Sequence, residues 1–244
     1  MQALQIATVI LLSFIGGLVQ SLTGFGYAII ALMGLQFFYD PLTAPSISSS
    51  IALGLTVLLA FRLRKHLRFR IWAPYTLLFI IVSNLTILVA DRFNMKAVSI
   101  GFGVFLIAIS LFYLSDRKPR RVGHVSAAAF LILSAFFSGL FGIGGPLASI
   151  VLLDRTDTKE EYIANFQMIL CLNSIASVAT RIYKGFYTAS LIPVTILGII
   201  AVSIGKSAAM RIMDRIDINA MKRIVYIGIG IAGLITVVQK AAFI

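Results

Sequence analysis

Hydrophobic residues run along this chain in long blocks, and the charged residues gather between them. Stretches free of Asp, Glu, Lys and Arg cover 1–39, 41–61, 71–90, 97–115, 122–153, 162–180, 185–205 and 224–239. Most are close to the ~20 residues with which a helix crosses a ~30 Å hydrocarbon core. A spanning segment must satisfy its backbone internally, and none of these blocks alternates as a barrel strand does. The pattern predicts an all-α polytopic membrane protein with about eight transmembrane helices. The first block has no basic region ahead of it and stays apolar past Gly17. It reads as a retained span and not a cleaved signal peptide.

The two longest blocks, 1–39 and 122–153, are interrupted by glycines, in "TGFGYAII" (23–30) and "FGIGGPLA" (141–148). As single straight helices they would measure about 58 and 48 Å, beyond what the membrane core accommodates. Glycine inside a helix costs about 1 kcal/mol relative to alanine, so a break is expected at each cluster. A break at membrane depth exposes backbone N–H groups, which only a protein-lined cavity tolerates. The half-helix that follows then points its positive dipole end into that cavity, an anion site in waiting. Close packing between small residues, such as Gly139 and Gly142, is the other use of the same glycines.

These clusters fall in register. At an offset of 118, Gly24 lands on Gly142 and Gly26 on Gly144; at 119, Arg62 lands on Arg181 and Pro74 on Pro193. "DRFNMKAV" (91–98) has a looser counterpart in "DRIDINAMKRIV" (214–225). The chain therefore reads as two homologous four-helix halves, 1–118 and 123–244, forming one membrane domain. The first helix of each half is broken at its glycine cluster. Internal duplication is the common ground plan of secondary transporters. Four spans per half would make the halves parallel; re-entrant first runs would allow them to be inverted.

Composition agrees, with 59% hydrophobic and 12% charged residues against about 25% charged in a soluble domain. The net charge of +12 sits mainly in short loops, "RLRKHLRFR" (62–70) and "DRKPRR" (116–121). That is the signature of cytoplasmic loops, with attraction to anionic headgroups as a second effect, and no domain outside the membrane exists to hold nucleic acid. With eight spans, both termini would be cytoplasmic. Lys206, Arg211, Arg215, Lys222 and Arg223 would then fall on the wrong side.

Intramembrane polar residues mark candidate chemistry. In the first half these are Gln20, Ser21 and Thr23 before the break, and the run Ser46, Ser48, Ser49 and Ser50. In the second half they are Gln167, Asn173 and Ser174, with Gln167, Cys171 and Ser174 sharing one helical face; Asn84 is a weaker candidate. Asn173 is the leading donor to an oxyanion, with an interhelical hydrogen bond as the alternative. Arg62 and Arg181 each end the second span of a half and could attract or gate an anion, although Arg62 belongs to the basic loop. Asp40 before Pro41 is a turn residue, and Asp154, Asp157, Glu160 and Glu161 form a solvated link that caps a helix. His66 and His124 read as solvated. No catalytic constellation, metal cluster, cofactor motif or disulfide framework is found, so no enzyme is expected.

"SGLFGIGGPLASIVLL" (138–153), preceded by "LILSAFF" and followed by the acidic link and "CLNS", resembles the signature of the TauE/SafE sulfite exporter family, also called the 4-toluene sulfonate uptake permease family. "GGLVQSLTGFGYAIIAL" (16–32) resembles a more degenerate first copy, in which Tyr27 and Ala28 follow Gly26 where members carry further glycines. The resemblance covers nearly the whole chain. It implies a permease of the bacterial inner membrane that moves sulfite, sulfonates or related organosulfur acids, with protons as coupling ion. The substrate would bind at Gly24, Phe25, Gly26, Gly142, Gly144 and Gly145 and the polar residues around them. Partners are then a small anionic substrate and a bilayer with anionic headgroups, with room for a homo-oligomer. A passive anion channel and a non-transporting membrane scaffold remain the alternatives.

Overall fold

The computed structural model describes residues 2–115, 122–213 and 217–242. The basic run 116–121 and Arg215 therefore lie outside the described residues. Among the described residues ten α-helices follow one another: α1 (Gln2–Thr23), α2 (Tyr27–Leu35), α3 (Thr43–Arg62), α4 (Phe69–Leu88), α5 (Met95–Leu114), α6 (His124–Phe141), α7 (Gly145–Asp154), α8 (Lys159–Tyr183), α9 (Ile192–Met213) and α10 (Ile218–Ala242). Among the described residues, seven helices are long and apolar enough to cross a membrane, and Gly145–Asp154 and Arg223–Val238 are shorter apolar helices. The all-helical class of a polytopic membrane protein stands. Large apolar side chains such as Leu77 and Ile200 stay exposed on the outer surface, where lipid and not water is the solvent.

The glycine-bearing runs reverse direction. Tyr27, at the start of α2, lies against Gly16, and Gly34 near its end lies against Leu12 and Thr8. So α2 runs antiparallel to α1 and returns toward the side where the chain began. In the second run, the α7 carboxylate Asp154 accepts the Val122 N–H at 3.1 Å, which brings the end of α7 beside the start of α6. Two helical hairpins result. The α7 segment is apolar on every side, and each residue from Gly145 to Leu153 is buried, as expected of a helix without a polar face.

Hairpins that return to their own side change the bookkeeping of faces. Arg68 holds Asn165 and Glu161 near the start of α8, Asp154 ties α7 to α6, and Lys159 Nζ donates to Met213 O at the end of α9. All these ends share one face. Lys184 and Asp91 meet across the other face at 3.8 Å. Consequently α3, α4 and α5 cross in one sequence of directions, and α8, α9 and α10 in the opposite one. Helix contacts follow the same exchange: α1 packs on α9 as α6 packs on α4, and α4 on α8 as α3 on α9. The symmetric pairs α3 with α8 and α5 with α10 lie between the halves.

This arrangement corrects the expectation that both termini share a face with the basic loops. The start of α1 and the end of α10 lie opposite the 62–70 loop. Among the described residues, the 62–70 loop now shares its face with Arg155, Lys159, Lys206, Arg211 and Arg223. The opposite face has Arg92, Lys96 and Lys184. The awkward charges of the second half were awkward only because each glycine-bearing run had been counted as one crossing.

Candidate functional site

Each hairpin turns at positions that only glycine occupies easily. Gly24, Gly26 and Gly142 have φ of 84°, 109° and 72°, in the left-handed region. Gly144 does not: its φ is −99°, which other residues adopt as well. A methyl at Gly144 would instead lie 2.7 Å from Phe79 and from Ser138, and one at Gly145 would strike Phe25. The reasons for glycine are therefore mixed, turn geometry at three positions and close packing at two.

Because Phe25 of the first turn seats on Gly145 of the second, the two turns touch. Helices of nine and ten residues are about 14 Å long, near half of a ~30 Å core. Running to opposite faces from this contact, α2 and α7 therefore present their N-termini to each other near mid-membrane. Between them lies a cavity walled by Gln20, Phe25, Gly26, Ala28 and Ile29 on one side and by Gly142, Ile143, Gly144, Gly145 and Pro146 on the other. Ser49, Ala52 and Thr56 of α3, Ser138 of α6, and Leu170, Asn173, Ser174 and Ser177 of α8 complete it. Its volume is about 40 Å³, room for a few waters or one compact oxyanion at ~10–15 Å³ per water.

No side chain in this wall carries a charge. What it offers are the first-turn N–H groups of two helices and the polar atoms of Ser49, Ser174, Ser177 and Asn173. The Asn173 amide bridges two helices, accepting from Ser83 Oγ at 2.5 Å and donating to Ser138 Oγ at 3.3 Å. The interhelical role is thus present, and the amide still borders the cavity.

Thr23, Gly24 and Gln167 stand behind the wall and not in it. Gln167 Nε2 donates to Gly24 O at 2.8 Å, Gln20 Nε2 donates to Gln167 Oε1 at 3.2 Å, and Tyr27 N–H donates to Gln20 Oε1 at 3.3 Å. Tyr162 Oη donates to Thr23 O at 2.8 Å, and Thr23 Oγ1 donates to Phe25 O at 2.6 Å. These bonds staple the first turn to α8. The second turn is held by Ser134 Oγ, which donates to Gly144 O and accepts the Ala148 N–H.

Of the face formed by Gln167, Cys171 and Ser174, only Ser174 borders the cavity. Ser46 and Ser50 bond carbonyls four residues back, and Asn84 accepts from Thr180 at 2.5 Å; none of the three borders the cavity. Ser21 likewise donates to Gly17 O. Arg62 is exposed at the end of α3, a loop residue and not a cavity residue. Arg181 is buried one turn beyond Ser177. The acidic link is not wholly solvated, because Glu161 is buried and lies 2.6 Å from Arg68 Nε. Thr56, Ser138 and Ser177 were missed as site residues. Ser177 had a readable signal, since it continues the stripe of Asn173 and Ser174 one turn on.

A family model, that of the sulfite exporter TauE/SafE, matches residues 9–236. No curated protein and no solved structure matches the chain.

Proposed function

Since the chain belongs to the TauE/SafE sulfite exporter family, we propose that it is a secondary transporter of small sulfur-containing oxyanions, sulfite or a short sulfonate. The anion binds between the N-termini of α2 and α7. The observation that carries this reading is the meeting of two half-helix N-termini over a neutral, hydroxyl-lined cavity. Both dipole ends favour negative charge, and donors without charge of their own bind an oxyanion without trapping it in a tight ion pair. Gly26, Gly142, Gly144 and Gly145 let backbone approach the anion; Asn173, Ser174 and Ser49 donate to its oxygens; Gln20, Thr23, Gly24 and Gln167 hold the first turn in place.

Among the described residues the wall holds no titratable group. For sulfite, a co-transported proton therefore rides on the anion itself as hydrogensulfite, whereas a sulfonate, the anion of a strong monobasic acid, crosses without one. The halves 1–118 and 123–244 are copies of one unit in inverted orientation, and rocking of one against the other opens the site to each face of a bacterial inner membrane in turn.

The test is thermal melting of the detergent-solubilised protein with sulfite, methanesulfonate and methanesulfonamide. A ligand that binds only the folded form raises the melting temperature by mass action. Sulfite or the sulfonate should raise it and the uncharged sulfonamide should not. Equal shifts for the sulfonate and the sulfonamide would refute binding by helix dipoles.

A further inference from the structure

The stripe of α8 that faces the cavity does not stop at its edge. Leu170, Asn173, Ser174 and Ser177 line the wall, and one further turn places Arg181 on the same stripe. Arg181 is 1% exposed. Its Nη2 donates to Gly139 O at 2.7 Å, whereas its Nε and Nη1 have no hydrogen-bond partner, and neither has Ser177 Oγ.

Helix geometry and one hydrogen bond fix where the guanidinium lies. Helical side chains lean toward the N-terminus of their helix, so that of Arg181 leans back over Ser177. Its anchor, Gly139, lies between Ser138 and Gly142, both of which wall the cavity. The charge therefore sits directly behind the cavity, on the side toward Lys184. It has no counter-ion: the ion pairs among the described residues join Arg68 to Glu161, Arg155 to Asp154, Lys159 to Glu160 and Lys184 to Asp91. A buried charge with open donors and no partner is strongly unfavourable. A fold keeps one where something else supplies the opposite charge.

We propose that Arg181 and Ser177 form a second anion position, between the central cavity and the Lys184 face, which the transported oxyanion occupies in passage. This rests on the transport reading above and adds the positive charge that the cavity lacks. The open N–H groups of Nε and Nη1 lie on different edges of the guanidinium, and Nη2 has a proton on each edge. The edge whose Nη2 proton is not given to Gly139 O therefore presents a fork suited to two oxygens of one oxyanion, and the Ser177 hydroxyl adds a third donor toward the cavity. The ligand class is a compact oxyanion with at least two unsubstituted oxygens. The bond to Gly139 O holds the fork in place at the C-terminus of α6, where a cation is favoured.

The same bond could instead make Arg181 a plain cap for α6, and the two roles differ measurably. The parent, R181Q, R181K and S177A are compared in proteoliposomes by flux of radiolabelled sulfite, and in detergent by melting without added anion. R181Q should lose flux at least tenfold yet melt at or above the parent temperature, because an uncompensated charge has been removed. R181K should fall between them, and S177A should lose about threefold. Parent-like flux in R181Q overturns the second position while leaving the central cavity standing. A lower melting temperature with unchanged flux identifies the cap. Should R181Q fail to insert, R181K decides: it keeps the charge but not the fork, and full flux in it overturns the proposal. No flux in the parent of sulfite, nor of radiolabelled methanesulfonate run beside it, overturns the transport reading, and this inference with it.

Discussion

At the scale of single residues, the glycines of the two turns answer different demands, and substitutions should separate them. Gly144→Ala puts a methyl 2.7 Å from Phe79 and Ser138, and overpacking of this kind costs about 1–3 kcal/mol. Its melting temperature should fall without ligand, and the sulfite shift should shrink as well, because Gly144 also lines the cavity. Ser174→Ala and Ser49→Ala remove hydroxyls at the cavity wall and should melt like the parent when no anion is present. Each should lose most of the shift produced by sulfite, since a hydrogen bond to a charged group is worth about 1.5–3 kcal/mol, a tenfold or greater change in affinity. Unchanged sulfite shifts in both would remove the hydroxyls from the site. Asn173→Leu is a poorer probe, because it strands Ser83 and Ser138 and mixes lost stability with lost binding. Asn173 could be picked out in the sequence as an amide at membrane depth. Ser83, its partner from 90 residues earlier, could not, because nothing local to either residue encodes their meeting.

At the scale of elements, run length and glycine placement predicted an interruption in both long runs but not its form. A kink and a full reversal need the same glycines and the same excess length. Reversal is settled by distant contacts, Tyr27 against Gly16 in one run and Asp154 with Val122 in the other. What keeps the first turn in place is the pair Gln20 and Gln167, and Gln167→Leu should expose their cost. It removes the partners of Gly24 O and of Gln20 Nε2, a loss of about 1–3 kcal/mol. Melting of the ligand-free protein measures it, and a parent-like temperature would show that the staple is dispensable. The entrance to α3 gives a pH-dependent element. Burial works to raise the Asp40 pKa, but hydrogen bonds from the Thr43 hydroxyl and from the Thr43 and Leu42 N–H groups outweigh it and hold the carboxyl below its ordinary range. A depressed pKa stabilises the fold above the unfolded value, and that contribution fades as pH falls through the folded one. Asp40→Ala should therefore cost about 0.5–2 kcal/mol at neutral pH, as helix caps do. The gap to the parent should narrow in acid, and an equal gap at both would assign the effect to shape alone.

For the whole molecule, the two readings of the charge pattern make opposite claims about which loops share a face, and labelling decides between them. If each charge-free run crossed once, Lys65 and Lys184 would lie on one side and Arg211 on the other. With hairpins that return, Lys65 and Arg211 share a face and Lys184 lies opposite, where it meets Asp91. The second arrangement gathers the cations of 62–70, Arg155, Lys159, Lys206, Arg211 and Arg223 on one side, which the tendency of Lys and Arg to remain cytoplasmic favours. Lys65→Cys, Arg211→Cys and Lys184→Cys are introduced singly after the one native cysteine, the buried Cys171, is replaced by alanine. Residues 65 and 211 are exposed and 184 is half-buried, so each is within reach of a membrane-impermeant maleimide. In intact cells the reagent should modify residue 184 and spare 65 and 211; in inverted vesicles the pattern should switch. Joint labelling of 65 and 184 would return the chain to eight successive crossings. The halves would then be parallel, α2 and α7 could not meet end to end, and the anion site between them would fall with the topology.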